Sequence, residues 1–92
     1  MNKDWSVLAA RAELLKAIAH PVRLCILRGL AKTPECNVSH MQECLGLPQS
    51  TVSQHLARLR LVGLIGARRQ GVEVYYSLVD PCAARVIEAL EL

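Results

Sequence analysis

The stretch that decides the fold runs from Leu47 to Gly63 and reads LPQSTVSQHLARLRLVG. At 100° per residue, the apolar positions of this stretch fall on one stripe of a helix. That stripe consists of Val52, Leu56, Leu59 and Gly63, and the opposite face carries Ser50, Ser53, Gln54 and Arg58. The pattern predicts a helix over about residues 48–62 that ends at Gly63.

Apolar residues at helical spacing predict three helices before this one and one after it. We expect these helices over about residues 4–19, 21–31, 38–45 and 81–91. The first should end at His20-Pro21, because a residue before proline is disfavoured in the α region. Gly46 is a predicted C-cap and Asp80 a predicted N-cap.

After Gly63 the hydrophobic period changes to two residues, which is typical of strands. Two such strands flank the Gln70-Gly71 turn and predict a hairpin over about residues 64–78, with Arg68 and Arg69 beside its tip. The predicted fold class is mainly α with a β-hairpin wing. Four helices, a hairpin and a last helix form a winged helix-turn-helix, as a single domain over residues 1–92.

Length and composition restrict the function classes further. A chain of 92 residues makes one small domain, for which association with a second copy is a common way to complete the core. On the first helix, Leu8, Leu15 and Ile18 exceed what a small monomer would bury. No apolar run approaches the ~20 residues of a membrane span, so we expect a cytoplasmic protein with no membrane partner.

Positive charge is concentrated in the central stretch. Between Glu43 and Glu73 there is no carboxylate, while the segment carries Arg58, Arg60, Arg68 and Arg69. A basic segment in an otherwise near-neutral chain predicts a polyanionic partner, here double-stranded DNA.

Slender polar side chains on a helix can reach base edges in the major groove, and glutamine can pair with adenine through two hydrogen bonds. The predicted DNA-binding residues are Gln49, Ser50, Thr51, Ser53, Gln54, His55, Arg58, Arg68 and Arg69. His55 has a second interpretation, a half-buried histidine bonded to backbone. Arg68 and Arg69 also have one, a charged tip that protects an edge strand from pairing.

Three motifs together resemble the ArsR/SmtB family of bacterial repressors. They are AHPVRL at residues 19–24, LPQSTVSQHL at residues 47–56 and RQGVEVYY at residues 69–76. The resemblance implies a homodimer built from the first and last helices. It also implies operator binding by the fourth helix and the wing, and release of DNA when an inducer binds.

Metal-sensing members of the family carry ligands at positions that can be compared here. The Cys-Val-Cys of the third helix corresponds to Asn37-Val38-Ser39, which has no thiol. The Asp-x-His of the last helix corresponds to Asp80-Pro81-Cys82, and no His or Cys follows. The stretches at residues 47–56 and 69–76 look most like the non-metal, PagR-type members, and we expect no cofactor or metal.

Four cysteines are dense for a cytosolic chain, where thiols are normally reduced. Cys36 should be exposed in a polar loop, and Cys82 lies in a first helical turn, which stabilises a thiolate. These two are the predicted thiol sensor. Cys44 is predicted to be a small buried hydrophobe, and Cys25 fits either a buried or an accessible position.

Two other functions stay open from the sequence. One is a metal-responsive repressor with a non-standard site built from Cys36, Cys82 or His40. The other is a winged helix that binds proteins. An enzyme is not expected, because three scattered histidines and no carboxylate pair make no catalytic constellation.

Overall fold

The computed structural model describes residues 4–92, which form five helices and three strands. In chain order they are α1 (Trp5–Ile18), α2 (Pro21–Lys32), β1 (Cys36–Asn37), α3 (Val38–Leu45), α4 (Gln49–Leu61), β2 (Ile65–Gln70), β3 (Glu73–Leu78) and α5 (Pro81–Ala89). The predicted fold class, mainly α with a β-hairpin wing, is confirmed.

The helix ends follow the predicted capping chemistry. The carboxylate of Asp80 accepts hydrogen bonds from the amides of Cys82 and Ala83, at 2.7 and 3.3 Å. Gly46 ends α3 in the left-handed conformation, with φ of 67°, where glycine has no Cβ penalty. Between α1 and α2, Nδ1 of His20 accepts a hydrogen bond from the amide of Val22 and caps the second helix.

The wing contains a third strand that the sequence did not predict. Within residues 4–92 the strand order is β1-β3-β2, and β1 pairs antiparallel with β3 through Cys36 opposite Tyr76 and Asn37 opposite Tyr75. The prediction of an exposed loop at Cys36 is therefore wrong, because its side chain is half-buried in this pairing. Two residues are too short to show a period of two, so only the partner strand reveals them.

The core is aliphatic, as the composition indicates. Three of the four residues predicted for the inner stripe are buried on α4, since Val52, Leu56 and Leu59 are each 1% exposed or less, whereas Gly63 follows the helix and is exposed. Ile18 is 4% exposed, so the expectation that it is surplus to the core is wrong. It belongs to the same buried cluster as residues of α2, α4 and α5.

Two terminal segments leave large apolar side chains in contact with solvent. On α1 these are Trp5, Val7, Leu8 and Leu15, all at least half exposed, and at the end of the chain they are Leu90 and Leu92. No helix within residues 4–92 has both the length and the apolar character needed to cross a membrane.

Candidate nucleic-acid interface

The outer face of α4 presents small polar groups to solvent. Gln49, Ser50, Ser53 and Gln54 are exposed, and Thr51 is half-buried at the edge of the same face. Pro48 is the N-cap, and among the described residues no side chain caps the first turn. The amides of this turn are therefore free to bind an anion such as a phosphate, which helix N-termini favour.

A shallow concavity separates α4 from the sheet. Ser53, Ala57, Arg60 and Leu61 line its helical side and Tyr76 lines the strand side. Arg60 is exposed and was not among the predicted DNA-binding residues. Its position seven residues after Ser53, two turns along the same face, is the signal that could have found it.

Arg68 is fixed by three neighbours rather than free at the hairpin tip. Its Nε and Nη2 each donate to a carboxylate oxygen of Glu35 at 2.8 Å, and its Nη1 donates to Gln70 at 2.9 Å. The guanidinium also lies 5.0 Å from the ring centroid of Tyr75. The bidentate pair lowers the pKa of Glu35, because the hydrogen bonds from Arg68 stabilise its charged form. Arg68 thus ties β2 to the residue that precedes β1.

The tip beyond Arg68 is open. Arg69 is exposed and, within residues 4–92, has no carboxylate within 4.0 Å. Gly71 has φ of 62°, which the tight turn requires, and Val72 is 95% exposed. The tip therefore offers one unpaired cation beside a small apolar side chain.

Arg58 turns toward α1 rather than straight out to solvent. Its Nη2 lies 3.8 Å from Oε2 of Glu13, and both side chains are more than one-third exposed. Such exposed pairs are weak, so a phosphate can compete for Arg58.

His55 is half-buried, as one of the two interpretations expected, but its neighbours are side chains. Its ring centroid lies 4.5 Å from that of His20, and its Nδ1 lies 3.4 Å from Nη1 of Arg23. Burial, His20 and Arg23 together lower the pKa of His55. Arg23 also donates to the carbonyls of Lys16 and Ala17, so it links α1 and α2 to α4. A base contact by His55 stays a prediction.

The cysteines lie differently from the expectation. Cys44 is exposed, so its prediction as a buried hydrophobe is wrong, while Cys25 and Cys82 are half-buried. Cys25, Cys36 and Cys44 line one groove, and Cys82 lies outside it, in the first turn of α5. Within the part of the chain that the structure describes, no three side chains of the His, Cys, Asp or Glu type form a metal-binding group.

Comparisons with known proteins agree with this geometry. A helix-turn-helix domain family matches residues 18–65. The transcriptional repressor PagR of Bacillus anthracis is 47% identical over 95% of this chain and 87% of PagR. Its crystal structure covers 95% of this chain and 99% of that one, with a TM-score of 0.85.

Two further solved structures are similar over nearly the whole chain. Reduced HlyU from Vibrio cholerae is 36% identical, with a TM-score of 0.90 over 99% of this chain and 95% of HlyU. A homodimeric winged helix-turn-helix DNA-binding domain from Mycobacterium bovis, a candidate ArsR-family regulator, is 31% identical. Its TM-score is 0.87, over 99% of this chain and 83% of that domain.

Proposed function

This chain belongs to the ArsR/SmtB family of winged helix-turn-helix transcriptional repressors, and from that premise we propose how it binds its operator. Two copies place their α4 helices in successive major grooves of a short, imperfectly palindromic site. The wing of each copy contacts the flanking phosphate backbone of the DNA. This family of DNA-binding regulators is not an enzyme class, and we propose no catalytic activity.

The observation that carries the proposal is a polar surface formed by the outer face of α4, a helix without any carboxylate, and by Arg69 of the wing tip, which is unpaired within residues 4–92. Ser50, Ser53 and Gln54 are exposed at its centre, and Arg60 and Arg69 stand at its edges. The hydrogen-bonding side chains can face the base edges on the floor of the major groove. The cations on either side of them can then face the two phosphate backbones that border the groove. Gln54 is the proposed base reader, and Arg58, Arg60 and Arg69 are the proposed phosphate contacts.

The proposed dimer is formed by α1 and α5. Both ends of the chain expose large apolar side chains that a monomer leaves in water, including Trp5, Leu8, Leu15 and Leu90. The M. bovis domain with the same fold is a homodimer. A two-fold interface on the terminal helices would bury these residues and leave both α4 helices free for DNA.

Binding to an operator duplex by fluorescence anisotropy tests the assignment. Gln54→Ala should bring the affinities for operator and scrambled DNA closer together, by about 1–3 kcal/mol for each lost bidentate contact. Gln42→Ala, on α3, is the matched control and should behave as wild type. If Gln54→Ala keeps the full operator preference, Gln54 is not the base reader, and if Arg69→Ala also leaves the affinity unchanged, the assignment of α4 as the reading helix is wrong.

Arg69→Ala tests the wing in the same assay. It should weaken binding to operator and scrambled DNA equally and should flatten the salt dependence, because each lost phosphate contact removes about 0.9 from the slope. Arg28→Ala, an exposed arginine on α2, is the control. An unchanged salt slope in Arg69→Ala would exclude the wing from the interface.

We also propose that the repressor releases DNA when its cysteine thiols undergo a redox change. The predicted pair was Cys36 and Cys82. What supports thiol chemistry is that three free thiols, those of Cys25, Cys36 and Cys44, share one groove between α2 and α3. Titration with zinc, cadmium or arsenite tests the metal-responsive alternative. That alternative is favoured if the metal releases the wild-type protein from DNA but does not release a Cys36/Cys82 double serine variant.

A further inference from the structure

A groove lies between α2, β1 and α3. Its cavity has a volume of about 240 Å³, enough for one small ring, and most of its wall is apolar. The apolar wall consists of Ile26, Leu30, Met41 and Leu45, and the thiols are Cys25, Cys36 and Cys44. We call this surface the thiol groove. An apolar cavity with a few reactive groups is typical of a small-ligand site.

One thiol of the groove has a base beside it. Cys44 is exposed, and its Sγ lies 3.6 Å from Nε2 of His40. The two residues are four apart on α3, so the helix itself holds them together. An imidazole at this distance can take the thiol proton as the sulfur attacks, which is the arrangement that activates nucleophilic cysteines.

The neighbouring thiol of Cys36 is in the opposite situation. It is half-buried, and its S–H donates toward the carbonyl of Asn37 at 3.5 Å. Burial, and then the nearby charge of Cys44, raise the pKa of Cys36. Since the thiolate is the nucleophile, Cys36 should react later than Cys44.

We propose that the thiol groove is a covalent binding site for small apolar Michael acceptors, α,β-unsaturated carbonyl compounds, with Cys44 as the nucleophile and His40 as its base. His40 takes the proton from the Cys44 sulfur, whose electron pair forms the S–C bond to the β-carbon. The π electrons of the C=C bond move to the carbonyl as an enolate. The imidazolium then returns the proton to the α-carbon, so the product is a thioether and no oxidant is needed.

The site is placed to act on both DNA-binding elements. The helix α3 that carries Cys44 packs directly against α4. On the other side, Cys36 pairs with Tyr76 of the wing, and the preceding residue, Glu35, holds Arg68. An adduct that fills the groove would push α3 away from α2 and disturb both contacts. This consequence, unlike the chemistry, rests on the proposed operator binding.

The chemistry is tested with the native, full chain and N-phenylmaleimide at one equivalent, followed by peptide mass mapping. The first adduct should form at Cys44, ahead of Cys25, Cys36 and Cys82. His40→Gln should slow the reaction at Cys44 by about 10²-fold, the lower end of the usual contribution of a general base. In Cys82→Ser, a substitution outside the groove, Cys44 should react with N-phenylmaleimide at the wild-type rate.

Two comparisons exclude simple accessibility as the cause. In urea the four cysteines should react at similar rates, and His40→Gln should then have no effect. Iodoacetamide, a small polar alkylating agent, should show less preference for Cys44 than N-phenylmaleimide does, because it has no apolar ring to occupy the groove. A first adduct at another cysteine, or a wild-type rate in His40→Gln, would overturn the site.

The DNA consequence has its own readout. The Cys44 adduct should weaken operator binding at least tenfold, whereas Cys44→Ser treated in the same way should bind normally. Selective modification of Cys44 with unchanged DNA affinity would overturn the coupling. Failure of the untreated protein to bind DNA would instead refute the proposed function, and the labelling rates would still decide the chemistry.

Discussion

Leu15 on α1 offers a quantitative test of the dimer, because the structure shows how much of it remains to be buried. The side chain is 54% exposed in the single chain. Complete burial of a leucine is worth about 1.5–3 kcal/mol, so the exposed half is worth about 1 kcal/mol. A two-fold interface contains the residue twice, which gives about 2 kcal/mol for the dimer. Leu15→Ala should therefore raise the dimer dissociation constant roughly thirtyfold, since 1.4 kcal/mol is tenfold.

Sedimentation velocity over a dilution series measures this constant directly. The matched control is Leu61→Ala, because Leu61 is 79% exposed but belongs to α4, where it lines the concavity next to Tyr76 of the sheet. Circular dichroism should show that both variants fold. The reasoning is refuted if Leu15→Ala dimerises as tightly as wild type, or if Leu61→Ala loses as much affinity.

Three further predictions follow from the core and the polar contacts. Leu59→Ala should lower the free energy of unfolding in urea by about 2–5 kcal/mol, because Leu59 is fully buried on α4, and Leu61→Ala is again its control. Glu35→Gln should speed amide hydrogen exchange in the wing hairpin with little change in the urea midpoint, since it removes the carboxylate that holds Arg68 on the surface. The lowered pKa of His55 means that the unfolded chain binds more protons just below pH ~6.5, so stability should fall as the pH decreases through this range, and His55→Gln should reduce that slope.

Local patterns were sufficient to predict most of the fold. The inner stripe of α4, the glycine at the end of α3 and the Asp80 cap depend on residues within one or two turns of each other. Each of them is in the expected place. Ile18 was different, because a position at the end of a helical stripe does not show which neighbouring helix covers it.

Contacts between distant residues could not be predicted. Glu35 and Arg68 are 33 positions apart, and β1 is too short to show a strand period. The Glu35–Arg68 pair and the strand β1 both depend on the pairing of the residues before α3 with β3 of the wing, which only the structure shows. The exposure of Cys44 also depends on distant packing, whereas its contact with His40, four residues earlier on α3, is local.

The central claim is that α4 and the wing tip form the DNA-binding surface, and an NMR titration of the ¹⁵N-labelled protein with operator duplex tests it most directly. The largest amide shift changes should fall in residues 49–55 of α4 and residues 69–72 of the wing, with little change on α1 and α5. Shift changes concentrated on the terminal helices would contradict the claim. Equal shift changes with operator and scrambled DNA at 0.5 M salt would also contradict it, since this salt concentration suppresses binding that depends on phosphates alone.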